Sequence, residues 1–257
     1  MISKHETVRL LGVKFSCCSF EDVFTGMESG MKIGESGYIS ITNSESVYHA
    51  LRISAHRQYI NNADFSCCDG IAAALAGKML GLRIPRLHGP DLMLNCCKYG
   101  VSKGWRHYFY GGKNGVPQLL SKKLTEKFPG METAGLYSPP FRLLTTAEDE
   151  AVISRINEAK PDILWVGLGL LKQEKWIADH QNNIDVPWII GVGAAFDFLS
   201  DTIKRAPKVF RDIGLEWLYR LVFEPRMFVR NIYSLSIFLP ALKVFLREKI
   251  MGRKRTN

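Results

Sequence analysis

Five short apolar runs recur along the first 200 residues: "GYISIT" (37–42), "DFSCC" (64–68), "RHYFYG" (106–111), "DILWVGLG" (162–169) and "PWIIGVG" (187–193). No other feature limits the fold as much. Runs of this length, apolar at most positions, read as largely buried strands. Between them, residues 44–60, 70–80, 90–102, 115–128, 146–159 and 173–182 carry helical patterns. Strands alternating with helices make βαβ units. The pattern therefore predicts an α/β fold, a Rossmann-like open, mostly parallel sheet flanked by helices.

At 257 residues the chain is long enough for one such core and an appendage. The texture changes near residue 200, which divides the chain into an α/β core, 1–199, and a helical, basic C-terminal appendage, 200–257. Charge follows the same division. Residues 201–257 hold 13 Lys/Arg against 5 Asp/Glu, whereas the first 200 hold 21 against 20, within a total of +9. A neutral body with a basic tail fits an anionic membrane surface or a phosphorylated substrate. Nucleic acid is disfavoured, because the body has no basic stripe to continue the tail. Only 12 residues separate Arg230 from Lys243, and they include Pro240. A membrane-spanning helix needs about 20. An in-plane segment at the membrane surface is expected, with a helix packed on the core or on another subunit as the alternative.

All six cysteines occur as adjacent pairs: Cys17-Cys18, Cys67-Cys68 and Cys96-Cys97. Adjacent side chains on a strand point to opposite faces, so such a pair is a poor chelator. No C-x2-C spacing occurs, so no metal site is expected from the cysteines. Lys4, His5, Glu6 and Arg9 interrupt the N-terminus before any apolar run develops, so no export signal is read and a reducing, cytoplasmic setting is expected. The cysteines then read as small buried apolar residues.

Ligands of open α/β sheets bind beyond the carboxyl ends of the strands, where helix N-termini offer free N–H groups. "TN" (42–43), "CDG" (68–70), "YGGKNG" with Gly111 and Gly112, "GLG" ending at Gly169, and "GVG" all fall there. Neither "GLGLLK" nor "GVGAAF" has the third glycine of a dinucleotide fingerprint. "GVSKG" (100–104) has the spacing of a hydrolase elbow, but a helix enters it and a strand leaves, the reverse of what that elbow needs. "AEDE" after Thr145 reads as the acidic first turn of a capped helix. The chain has no H-E-x-x-H pattern and no D-x-D pair.

In order, "ITNSES", "NADFSCCDG", "IPRLHGPDL", "FYGG", "PDILWVGLGLLKQEKW", "GVGAAFDF" and "RAPKVFRDIGLEWLYRLVFEPRMFVR" resemble the motifs of the WecG/TagA/CpsF family of bacterial glycosyltransferases, from about residue 8 to 232. The resemblance implies an inverting, metal-independent transferase without a cofactor. It would move a hexose-type sugar, such as N-acetylmannosamine or its uronic acid, from UDP. The acceptor would be a sugar carried on polyprenyl diphosphate at the inner leaflet of the membrane, in teichoic-acid, common-antigen or surface-polysaccharide synthesis. Asp69 matches the motif aspartate proposed as catalytic base, and an inverting transfer needs one carboxylate to take the acceptor hydroxyl proton. A helix N-cap is the structural alternative for Asp69. Asn43 matches a substrate-contacting asparagine, Arg86 a pocket arginine, Gln173 the glutamine of a "QE" motif and Asp197 the aspartate of "GVGAAFDF". Two positions depart from the family: Leu171 stands where relatives commonly have proline, and Ile41 where some have threonine.

Without a metal, the departing diphosphate needs another counter-charge. Arg205, Arg211, Arg220, Arg226 and Arg230 in the tail are candidates, because a guanidinium binds phosphate oxygens bidentately. Arg220 is expected to matter most for catalysis. A tail folded over the site would also exclude water. Oligomer contact is a further use open to the same segment. Competing readings are a nicotinamide-dependent oxidoreductase, which the incomplete glycine fingerprint disfavours, and a non-catalytic binder of anionic lipid.

Overall fold

The structure is a computed structural model that describes residues 5–203, 207, 209–210 and 227–254; in the last segment, side chains are described for residues 232–247. A hairpin opens the chain, β1 (Thr7–Leu10) and β2 (Val13–Ser16), followed by α1 (Phe20–Ile33). Six strands then form one parallel sheet: β3 (Gly37–Thr42), β4 (Phe65–Cys68), β5 (Arg106–Gly111), β6 (Glu132–Tyr137), β7 (Ile163–Gly167) and β8 (Trp188–Gly191). Their order across the sheet is β4-β3-β8-β7-β5-β6. The connections hold α2 (Ser44–Ala50), α3 (Ser54–Asn62), α4 (Ile71–Met79), α5 (Gly89–Val101), α6 (Val116–Lys127), α7 (Thr146–Ala159) and α8 (Lys172–His180). After β8 come α9 (Ala195–Leu199) and the long helix α10 (Met227–Lys254). The expected Rossmann-like α/β architecture is present.

Alternation along the strands sorts the core into faces. Ile39, Ile41, Phe65, Cys67, Phe109, Trp165 and Ile190 pack under α1, α5, α6 and α9. Tyr38, Tyr108, Tyr110, Leu164, Val166 and Ile189 meet α7 and α8 on the other face. A third cluster joins the β1–β2 hairpin, α2, α4 and Cys68 to Ile237 and Ala241 of α10, both fully buried. Cys67 and Cys68 thus point into different clusters. Every described cysteine is free, and only Cys17 is not fully enclosed. Burial pushes the Cys68 thiol up to about 12, and the Cys67 thiol is raised as well. Neutral and enclosed, the pair walls the strand end and offers no nucleophile.

Four elements differ from the sequence expectation or were not read from it. The hairpin turns on Leu11 and Gly12, both at positive φ (53° and 84°), the geometry of a two-residue turn that Asn-Gly would have advertised. In α1, Ser19 and Asp22 form a reciprocal capping box. β6 is a half-exposed edge strand with no apolar run. The stretch 44–60, expected as one helix, is two, because Ile53 adopts an extended backbone (φ −115°, ψ 103°) between α2 and α3.

The tail joins the core. α10 runs on through Pro240 and packs against α2 and α4, so the packed-helix alternative holds for one of its faces. Its other face exposes Ile232, Leu235, Leu239, Leu242 and Leu246, each 42 to 59% accessible. Among the described residues, no helix is long and apolar enough to cross a membrane.

Candidate active site

The chain leaves β3 into α2 on one face of the sheet and leaves the adjacent β8 into α9 on the other. Such diverging connections mark the carboxyl ends of those strands as the crevice where doubly wound sheets bind ligands. Asp69 follows β4 at this edge, and its amide N–H donates to the Thr42 carbonyl at 3.0 Å. Its Oδ1 accepts from Gly89 N–H (3.2 Å) and contacts His88 Nδ1 (2.9 Å). Asp69 is therefore not the cap of the helix that follows it. That N-cap is Gly70, with no side-chain cap bond, and the carboxylate instead secures the start of α5.

Arg86, His88 and Gly89 reach this point through backbone pairing. Arg86 forms a parallel bridge with Cys68, and Leu87 N–H donates to the Cys68 carbonyl at 2.8 Å. The segment before α5 thus runs alongside the end of β4. Arg86 Nη2 lies 2.6 Å from His88 Nε2, while its buried Nε has no partner among the described residues.

Asn43 caps α2, its Oδ1 accepting from Ser46 N–H at 3.0 Å. Its amide nitrogen remains uncommitted among the described residues. A Cβ built on Gly70 would lie 3.9 Å from Asn43 Cα, so the residues that follow β3 and β4 are neighbours. On the far side of the crevice, Gln173 is buried, and its Oε1 accepts from Gly193 N–H at 2.9 Å. A Cβ on Gly89 would stand 3.5 Å from the Val192 carbonyl. Asp69, Gly89, the Val192-Gly193 turn and Gln173 therefore form one connected rim.

Gly111 and Gly112 close the end of β5. Gly111 has φ 124°, and a Cβ there would overlap the Gly167 backbone at 2.5 Å, so only glycine fits. Gly169 (φ 85°) leads from β7 into α8. Asp197 sits in α9, where its Oδ1 and carbonyl accept from Thr202 Oγ1 (3.3 and 3.1 Å), facing the start of the tail. Arg205, Arg211, Arg220 and Arg226 lie outside the described residues. Arg230 is in α10, its side chain also outside them. One turn later, Ser234 Oγ reaches Ser44 Oγ (3.4 Å), beside Asn43, and the Tyr233 ring packs at a tilt against Tyr48 with centroids 4.5 Å apart. The tail helix therefore passes the β3 side of the crevice.

Two side chains were not read from the sequence as site residues. His88 is one. Glu174 is the other: buried, it accepts from Gln173 Nε2 at 3.0 Å through Oε1, while Oε2 has no partner among the described residues. The adjacent "QE" was the available signal, but only burial makes it meaningful. Burial raises the Glu174 carboxyl above its ordinary range. The folded protein then holds this proton at pH values where the unfolded chain has lost it, so the group's contribution falls as pH rises through that interval. Glu174→Gln keeps an oxygen for Gln173 and removes the ionisation. Its melting temperature is expected to exceed the parent's by on the order of 3 °C at pH 8 and to match it at pH 4, as followed by circular dichroism. Leu171, before α8, has φ 68°. Proline cannot adopt that angle, so the departure noted in the sequence accompanies a loop backbone that a proline chain could not follow.

The other end-of-helix readings hold. Ser102 follows α5 as its C-cap and donates to the Tyr99 carbonyl, so "GVSKG" is a helix end. Thr145 and Glu148 form the capping box expected at "AEDE".

An open parallel sheet with a hydrogen-bonded carboxylate at the switch of its connections, rimmed by glycines and helix N-termini, defines a Rossmann-like ligand-binding protein. Residues 8–255 match the model of the Glycosyl transferase WecG/TagA/CpsF family, and the chain belongs to that family. Among its relatives are Staphylococcus aureus proteins, from strains NCTC 8325 / PS 47 and COL, named N-acetylglucosaminyldiphosphoundecaprenol N-acetyl-beta-D-mannosaminyltransferase. Each is 30% identical over 203 residues, which cover 79% of this chain and 78% of the relative.

Proposed function

We propose that this protein transfers a hexose-type sugar from UDP to a sugar borne on polyprenyl diphosphate, with inversion and without a divalent cation. The observation that carries the reading is Asp69. Its Oδ1 is held by a backbone N–H and the His88 ring, which leaves Oδ2 as the base at the strand-end crevice. In the proposed step Oδ2 takes the acceptor hydroxyl proton as that oxygen attacks the anomeric carbon. The bond from that carbon to the diphosphate breaks, and UDP departs with the electron pair. Asn43 is assigned to catalysis beside Asp69, through contact with the substrate, and Arg86, Gln173, Asp197 and the glycines at 111, 112 and 169 to substrate binding. Arg205, Arg211, Arg220, Arg226 and Arg230 are assigned to the departing charge, Arg220 foremost.

The lipid-linked acceptor is supported by the activity for which the Staphylococcus relatives are named. Support for docking at the inner face of the membrane comes from α10. Its exposed apolar stripe recurs at three- and four-residue spacing, and Lys243 and Arg247 lie exposed beside it. Residues 200–257 are accordingly assigned the roles of anchor and closing element for the core.

The test is a panel of UDP-sugars assayed against short-chain prenyl-diphosphate-linked N-acetylglucosamine, with and without EDTA. Transfer from one UDP-hexosamine or its uronic acid, reduced less than about twofold by EDTA, is the expected result. The sequence motivates the chelation arm, since it has no D-x-D pair to hold a cation on the diphosphate. Activity lost on chelation and restored by magnesium would remove the arginine-based mechanism; no transfer from any UDP-sugar would remove the donor assignment.

A further inference from the structure

Three groups stand in line at the crevice. Arg86 Nη2 is 2.6 Å from His88 Nε2, and His88 Nδ1 is 2.9 Å from Asp69 Oδ1. A guanidinium has only donors to offer. His88 Nε2 must therefore be the acceptor, and the ring proton must sit on Nδ1, where it donates to the carboxylate. The neighbours on its two sides assign the tautomer of this imidazole.

We propose that His88 is a positioning residue for Asp69, locking Oδ1 so that Oδ2 alone faces the acceptor hydroxyl. The proposal rests on the reading of Asp69 as the base. Oδ1 already takes Gly89 N–H at 3.2 Å, so the imidazole adds a second donor to the same oxygen. One donor leaves a carboxylate free to swing about it; two from different directions fix its plane. The supports are themselves fixed. Arg86 is bridged to Cys68, Leu87 is hydrogen-bonded to it, and Gly89 begins α5. Both side chains are mostly enclosed, with 20% and 26% of their surface exposed, so water competes little for the contact.

Arg86 gains a second role in this arrangement. It holds the histidine in the required tautomer while its buried Nε remains without a partner among the described residues. Loss of Arg86 should therefore disturb Asp69 as well as substrate binding. His88 offers the cleaner test, because its variants leave the guanidinium in place.

The experiment measures kcat and both KM values for the full chain and for His88→Ala, His88→Asn, His88→Gln and Asp69→Asn, using the substrate pair selected by the donor panel. The amide of Asn can take the place of the ring Nδ1–H, whereas that of Gln reaches the Nε2 position. His88→Ala and His88→Gln are expected to lose about 10- to 100-fold in kcat with KM values within about twofold of the parent, and His88→Asn to recover most of the loss. Should His88→Ala fold poorly, the Asn and Gln pair carries the comparison alone. Parental kcat in His88→Ala or His88→Gln beside an inactive Asp69→Asn overturns the positioning role and leaves the base assignment standing. Equal impairment in His88→Asn and His88→Gln overturns it too, as mere packing. An active Asp69→Asn removes the base reading and this proposal with it. A substrate-free check is nitrogen-15 NMR of the histidine rings, with His88→Asn identifying the signal: an Nδ1–H tautomer at neutral pH is expected, and an Nε2–H tautomer overturns the proposal.

Discussion

Asp69→Asn is expected to lower turnover about 100-fold or more, the usual contribution of a positioned general base, in a protein that melts at the parental temperature. The geometry makes this substitution unusually clean. An Asn Oδ1 can still accept from His88 Nδ1–H and Gly89 N–H, so the start of α5 stays tied to the end of β4. Only Oδ2 is exchanged, for an amide nitrogen that cannot take a proton. Isothermal calorimetry with UDP should give a dissociation constant within about threefold of the parent's, since the carboxylate is assigned to the acceptor rather than to the nucleotide. Near-parental turnover in a folded variant would sink the catalytic assignment. Cys67 and Cys68, buried just behind Asp69, do not compete for the role: the hydrogen bond with Cys18 and then burial raise the Cys67 thiol, and burial raises that of Cys68, so both stay protonated.

Removal of residues 204–257 is expected to abolish turnover by about 100-fold or more even with a soluble acceptor, the scale on which charge stabilisation in a site acts. The loss would include every arginine assigned to the diphosphate and the helix that passes Ser44 beside Asn43. The two clusters on the faces of the sheet contain no described residue of the tail, so the sheet should remain folded. The third cluster loses Ile237 and Ala241. Burying one large aliphatic side chain contributes about 2 kcal/mol, so the truncated protein should melt roughly 5–10 °C lower. It should also release from anionic vesicles, because each juxtamembrane cation contributes about 1 kcal/mol near such a surface. Vesicle sedimentation and turnover with a soluble acceptor, measured on the same preparation, separate the two roles. Full turnover in the truncated chain would make the tail an anchor only and place the diphosphate's partner in the core.

The sheet was legible in the sequence because parallel strands buried on both faces must be apolar at nearly every position. All five strands read from such runs are present, and so is the place of Asp69 at a strand end. β6 escaped because an edge strand need not be apolar, and the first hairpin because Leu-Gly carries no turn signature even though its backbone makes the turn. The break at Ile53 lies in a stretch whose helical pattern continues across it.

What sequence order could not express is which strand ends become neighbours. β8 lies beside β3 although almost 150 residues separate them, and that adjacency brings Gln173 and Gly193 to the same rim as Asp69. His88 shows the limit most plainly. As a letter in "PRLHGPD" it is one histidine among six; only the pairing of its segment with β4 turns its ring toward a carboxylate. The tail divides in the same way: its charge and its apolar run could be counted from composition, but which face of α10 is covered depends on the shape of α2 and α4. Local pattern determines what an element is, because periodicity is a property of consecutive residues. Long-range packing decides what it touches, and the chemistry of this site is made of such contacts.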